Sequence, residues 1–178
     1  MSSRLRSTGL LLLGCATPLV GCRAPEPAAQ ELVRAEPLAW MVGGWSGVRR
    51  SADDGFEAPM TVRVEALPGG RDQVECLEVQ GERGPYIGFA VRVYDDAARR
   101  WTMRYANGAG RRFAQLEGQL HGARTTWRSV TPGRSRLSRL ESERRAPDGW
   151  TKRQFVSSDG GATWQLLFTD ELVRDGDG

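Results

Sequence analysis

The sequence predicts an all-β protein: a single antiparallel up-and-down β-barrel of about nine or ten strands. Three observations carry this. Short segments that alternate apolar and polar residues recur at spacings of roughly 8–12 residues, the rhythm of sandwiches and barrels. Hairpin signals such as Gly84-Pro85, Asn107-Gly108 and Pro147-Asp148-Gly149 separate neighbouring segments, and no long stretch has a helical period. A Gly-x-Trp arrangement, Gly43 and Trp45, stands at the head of the series. Glycine there permits a tight approach of the chain, and a tryptophan one step into the first strand can plug the end of a small barrel.

The barrel is expected over residues 38–174, after two preceding segments. In residues 1–21, Arg4 and Arg6 precede an apolar run, Gly9-Leu10-Leu11-Leu12-Leu13-Gly14, too short to span a membrane and followed by Pro18. Leu19-Val20-Gly21-Cys22 resembles the bacterial lipobox, which makes Cys22 the lipidated N-terminus of the mature chain. The plainer reading is a secretory signal cut near Ala28-Ala29. Acyl chains contribute about 0.8 kcal/mol per buried methylene, so a multiply acylated cysteine would hold the protein on a membrane of the cell envelope. Residues 22–37, rich in Pro, Ala and Glu, are expected to be a flexible tether, and residues 175–178 a disordered tail.

Within the domain, Met60, Val62, Val64 and Ala66 alternate with Thr61, Arg63 and Glu65, the period of a half-buried strand. Residues 73–80 follow, with Cys76 expected as a buried, inert thiol. Residues 86–94 form the clearest strand. Ile87, Phe89, Val91 and Val93 share one face, and Tyr86, Gly88, Ala90, Arg92 and Tyr94 the other; either could face the interior. Strands are expected at 101–106, 112–120, 125–130, 135–145 (polar and exposed), 150–157 and 164–169. In the last hairpin, Ser157-x-Asp159-x-Gly161-x-Thr163-Trp164 matches an Asp-box: the aspartate bonds turn amides, glycine turns the chain, and tryptophan packs beneath. A propeller would repeat that element, and here it occurs once.

Three stretches together resemble bacterial lipocalin-like domains of the calycin type. They are residues 40–47, Val93-Tyr94-Asp95 with residues 101–107, and residues 157–164, and the similarity runs over residues 38–173. The resemblance implies an antiparallel barrel around a cavity and a family without an established activity.

Charge and composition narrow the function. The chain has 25 Lys and Arg against 22 Asp and Glu. Without Arg4 and Arg6 the basic count falls to 23, so the excess belongs largely to the leader. Lys152 is the sole lysine. No basic block is present, so no nucleic-acid partner is expected. With Cys15 in the leader and Cys22 lipidated, Cys76 is left without a partner for a disulfide or a zinc site. Haem proteins resembling nitrobindin hold iron through one histidine, but His121 falls in a Leu-His-Gly turn, so no cofactor or metal is expected. No catalytic motif is found. A buried carboxylate with a raised pKa beside a cavity would be the sign of one.

The leading expectation is a membrane-tethered binding protein for a small amphipathic or apolar ligand, with an anionic end as one form. Arg92, Tyr94, Trp101, Arg104, Tyr105 and Trp127 are the candidate contacts, while Gly43, Trp45, Asp159, Gly161 and Trp164 have structural roles. An arginine inside the barrel would need an anionic ligand or an internal glutamate as partner. The alternative is an envelope interaction protein with a filled barrel and no small-molecule ligand.

Overall fold

The computed structural model describes residues 38–82, 84–107, 113–130, 136–145 and 147–176. The signal segment, Cys22, the tether, Gly108, Pro132-Gly133 and the last two residues of the expected tail lie outside them. A short 3-10 turn (Ala39–Met41) leads into β1 (Gly43–Ser51), β2 (Glu57–Ala66), β3 (Gln73–Gly81), β4 (Gly84–Asp95) and β5 (Arg100–Asn107). There follow β6 (Phe113–His121), β7 (Arg124–Ser129), β8 (Leu137–Arg145), β9 (Gly149–Ser157) and β10 (Gln165–Arg174). Each strand lies antiparallel to the next, and β1 pairs with β10, so ten strands close into the expected up-and-down barrel.

β2 shows the pattern at its simplest. Ala58, Met60, Val62 and Val64 are buried inside, and the residues between them are exposed. β4 is the strand whose two faces the sequence leaves open. Its small face, Gly88, Ala90 and Arg92, points inward, and Phe89, Val91 and Val93 stand on the outer wall. The reason lies in the register: Gly88 leaves room for a neighbouring tyrosine, since a Cβ at 88 would lie 2.5 Å from the Tyr105 hydroxyl. β3 is set the same way, with Gln73, Glu75, Leu77 and Val79 inside. Cys76 therefore corrects the expectation of a buried thiol: it is half-buried on the outer wall. Partial burial, together with Glu78 and Glu75, pushes its pKa up, which keeps it a poor nucleophile.

One end of the barrel is packed solid around Trp45, which is fully buried as expected. Its indole N–H donates to the Met41 carbonyl at 2.8 Å, and its ring meets Trp150 edge-on at 5.4 Å between centroids. Arg174, at the end of β10, lays its guanidinium 4.3 Å from the centre of the Trp45 ring. The same guanidinium donates to the carbonyls of Val42 and Trp40 at 2.8 and 2.7 Å, closing the chain's last strand onto its first turn. Gly43 makes the turn possible: its φ is +132°, and any side chain there would run into Arg174. Asp175, assigned from sequence to the tail, instead accepts from the Ser46 hydroxyl and donates its amide to the Gly44 carbonyl.

The β9–β10 hairpin has the bonds an Asp-box needs. The Asp159 carboxylate accepts from the Thr163 amide and hydroxyl, and from the Ser157 hydroxyl. Gly161, at φ +97°, donates its amide to Ser157 Oγ. Those bonds hold the Asp159 carboxyl well below the ordinary carboxylate range. Trp164 follows, half-buried, with the Arg139 guanidinium 4.7 Å from its ring centre.

Candidate functional site

Above the tryptophan-packed end the barrel is hollow. A cavity of about 550 Å³ is lined by the inward faces of all strands except β2 and β7. Its walls are apolar at Leu77, Val79, Met103, Leu116, Leu140 and Phe168, and its outer rim includes Phe56, Gly81, Asn107 and Arg136. Among its polar groups Glu75, Lys152, Arg49, Asp170, Tyr86 and Tyr105 form one set, Ser138, Arg139 and Gln154 on β8 and β9 a second, and Asn107 and Arg136 lie at the rim.

Two ion clusters make the lower wall. Glu75 is buried and accepts from both Arg92 and Lys152, the latter at 2.6 Å. Burial pushes the Glu75 carboxyl up, but the two cations outweigh it and hold it at about 2. Lys152 also lies over the Trp150 ring at 4.9 Å, so the sole lysine of the chain joins the cavity floor to the tryptophan plug beneath. On the adjoining strands β10 and β1, Asp170 is the register partner of both Lys152 and Arg49, and the Arg49 guanidinium donates to both its carboxylate oxygens at 2.7 and 2.8 Å. Tyr105 shares a hydrogen bond with the Tyr86 hydroxyl. Burial and that bond raise the Tyr105 pKa far above its usual value, so it stays a neutral donor in the wall.

Of the six contacts expected from sequence, only Tyr105 lines the cavity. Arg92, Trp101 and Trp127 do point inward and are buried, but one layer deeper, in the packed end. There the Arg92 guanidinium lies 5.9 Å from the Trp127 ring centre. Tyr94 packs against Trp101 in the same layer, at 5.4 Å between centroids. Arg104 is a correction: it is exposed on the outer wall. Its neighbours Met103 and Tyr105 face inward, and successive strand residues face opposite ways, so Arg104 cannot join them. The partner expected for an interior arginine is internal, namely Glu75.

Sequence reasoning missed Glu75, Lys152, Arg49 and Asp170. Lys152 carried a usable signal as the one lysine of the chain; Glu75 carried none, because its strand reads equally well with either face inside. Glu75 also bears on the catalytic reading. An acid kept for proton transfer would be raised towards neutrality, whereas Glu75 is lowered and stays ionised. His121 ends β6, exposed. Among the described residues no group of His, Cys, Asp and Glu is placed to hold a metal ion.

No family model matches the chain, and no curated protein matches it. Among solved structures it is similar to the S-type phycobiliprotein lyase CPES from Guillardia theta, with a TM-score of 0.54 at 12% identity. The match covers 84% of this chain and 93% of that one. At that identity the likeness is one of fold: a lipocalin-like barrel.

Proposed function

We propose that this is a lipocalin-like binding protein that takes a small amphipathic or apolar molecule into the barrel and is tethered to a membrane of the cell envelope through lipidated Cys22. The cavity supports the first part. About 550 Å³ falls within the range of roughly 300–1,000 Å³ common to small-molecule sites, and mostly apolar walls around a few converging polar groups are their usual composition. A filled-barrel interaction protein would need the packing of the tryptophan end to continue to the other rim. Resemblance to the bacterial lipocalin-like domains rests on residues 40–47, 93–95 with 101–107, and 157–164, and the closed barrel is the fold that it implies.

The test uses a neutral fluorescent apolar probe, N-phenyl-1-naphthylamine. It is expected to bind with enhanced emission, and Ala114→Trp, which places an indole in the cavity wall, is expected to abolish the enhancement while the fold is kept. Full enhancement in the Ala114→Trp variant would move the binding site out of the barrel. Native mass spectrometry of protein extracted from its own membrane then identifies what the cavity holds.

The tether is proposed from sequence alone. Cys22→Ser should shift the protein from the membrane fraction to the soluble fraction and leave the leader uncut. Unchanged membrane association would remove the lipid anchor from the reading.

A further inference from the structure

Resting on the cavity-binding reading above, the charge balance of the barrel interior goes one step further. Below the level of Arg136 and Arg139, which also line the cavity, two carboxylates, Glu75 and Asp170, face three cations, Arg49, Arg92 and Lys152. Arg49 and Asp170 form a closed bidentate pair. Glu75 is shared by two cations, so the cluster at the cavity floor carries one positive charge in excess. All three of its members are buried, at 3% side-chain exposure or less. An uncompensated charge in such a place is costly, and an anion delivered to it recovers that cost.

Hydrogen bonding tells the same story. Arg92 donates through Nη2 to Glu75, while its Nε and Nη1 are buried with no partner among the described residues. Lys152 Nζ makes one hydrogen bond, to Glu75, out of the three an ammonium can give. Arg92 lies in the packed layer, and Lys152 lines the cavity itself. The lysine is thus the member of the cluster that a ligand can touch, with Arg92 supplying charge from behind Glu75. Tyr105 lies in the same row of the sheet as Glu75, joined to it through Ala90, and lines the cavity above the cluster.

We propose that the floor of the cavity is a monoanion site. In it, Lys152, backed by Arg92 across Glu75, receives the carboxylate of an amphiphile whose apolar part extends up the wall past Leu77, Met103 and Leu116. The ligand enters head-first. Glu75 holds the two cations together and leaves one charge for the incoming group.

Decanoate and 1-decanol, equal in chain length and different only in head group, are titrated as competitors of N-phenyl-1-naphthylamine near pH 7.5. Decanoate is expected to displace the probe at a concentration at least tenfold below that of decanol. Lys152→Met leaves Glu75 and Arg92 as a balanced pair, and in it the ratio should fall to about one while the probe still binds. Lys152→Gln, which keeps a hydrogen bond to Glu75, serves as the second variant with the same expected ratio; Lys152→Arg should keep the preference. Equal displacement by acid and alcohol in the wild type, or a preference that survives in both neutral variants, overturns the monoanion site and leaves cavity binding standing. Failure of probe, acid and alcohol alike to bind the wild type overturns both readings.

Discussion

Glu75→Gln is expected to cost about 3–5 kcal/mol, the range for a buried ion pair that loses one partner and leaves the other charged and unpaired. Here the change strands two cations, Arg92 and Lys152, at the boundary between cavity and packed end. Lys152→Met removes a charge from the same cluster but leaves one carboxylate facing one guanidinium, so its cost should be clearly smaller. Urea titration of the wild type and both variants checks the order; a Glu75→Gln variant as stable as Lys152→Met would mean that the cluster is not held by its carboxylate. The same residue sets an acid limit. Its folded pKa, about 2, lies below the ordinary 4.5 of a glutamate. The stability it contributes is therefore present above about pH 4.5 and is lost as pH falls towards 2. Wild-type stability should fall across that window, with a shallower slope in Glu75→Gln.

Trp45→Ala is expected to cost a similar amount, about 3–5 kcal/mol, through the cavity left by a fully buried indole. With a urea m-value on the order of 2 kcal/mol/M, that corresponds to a midpoint lowered by about 2 M. Three contacts go with the ring: the hydrogen bond to the Met41 carbonyl, the edge-on packing against Trp150, and the seat of the Arg174 guanidinium. Because Arg174 ties the last strand to the first turn, loss of the ring loosens the closure of the barrel as well as its core. Trp164→Ala, at a half-buried hairpin position, should cost much less. A midpoint for Trp45→Ala within a few tenths of a molar of that of Trp164→Ala would show that Trp45 is not the plug on which the closed end depends.

Architecture was legible because it depends on local signals. Turn residues at Pro68-Gly69-Gly70, Gly122 and Pro147-Asp148-Gly149, and the alternation along β2, place hairpin after hairpin, and each is a matter of a few consecutive residues. Consecutive hairpins with a Gly-x-Trp start leave few arrangements other than a closed sheet. The Asp-box was legible for the same reason, since Ser157, Asp159, Gly161 and Thr163 bond within one turn.

The cavity was not legible in that way. Alternation defines two faces of a strand but not which one is inside, and β4 places its more apolar face outside. The small inner face yields space that Tyr105 occupies, a relation between strands that only the register settles. Parity also separates Arg104 from Tyr105, and depth separates Arg92, Trp101 and Trp127 from the cavity they were expected to line. Glu75 and Lys152 are 77 positions apart and meet only because the barrel brings β3 and β9 to opposite sides of one narrow interior. By itself the sequence determined the strands, their order and the plugged end, since these follow from backbone preference and a period of two. Which side chains share the interior, how deep each lies and where the charges meet was decided by the tertiary structure, because burial and electrostatic pairing depend on distances across the barrel rather than along the chain.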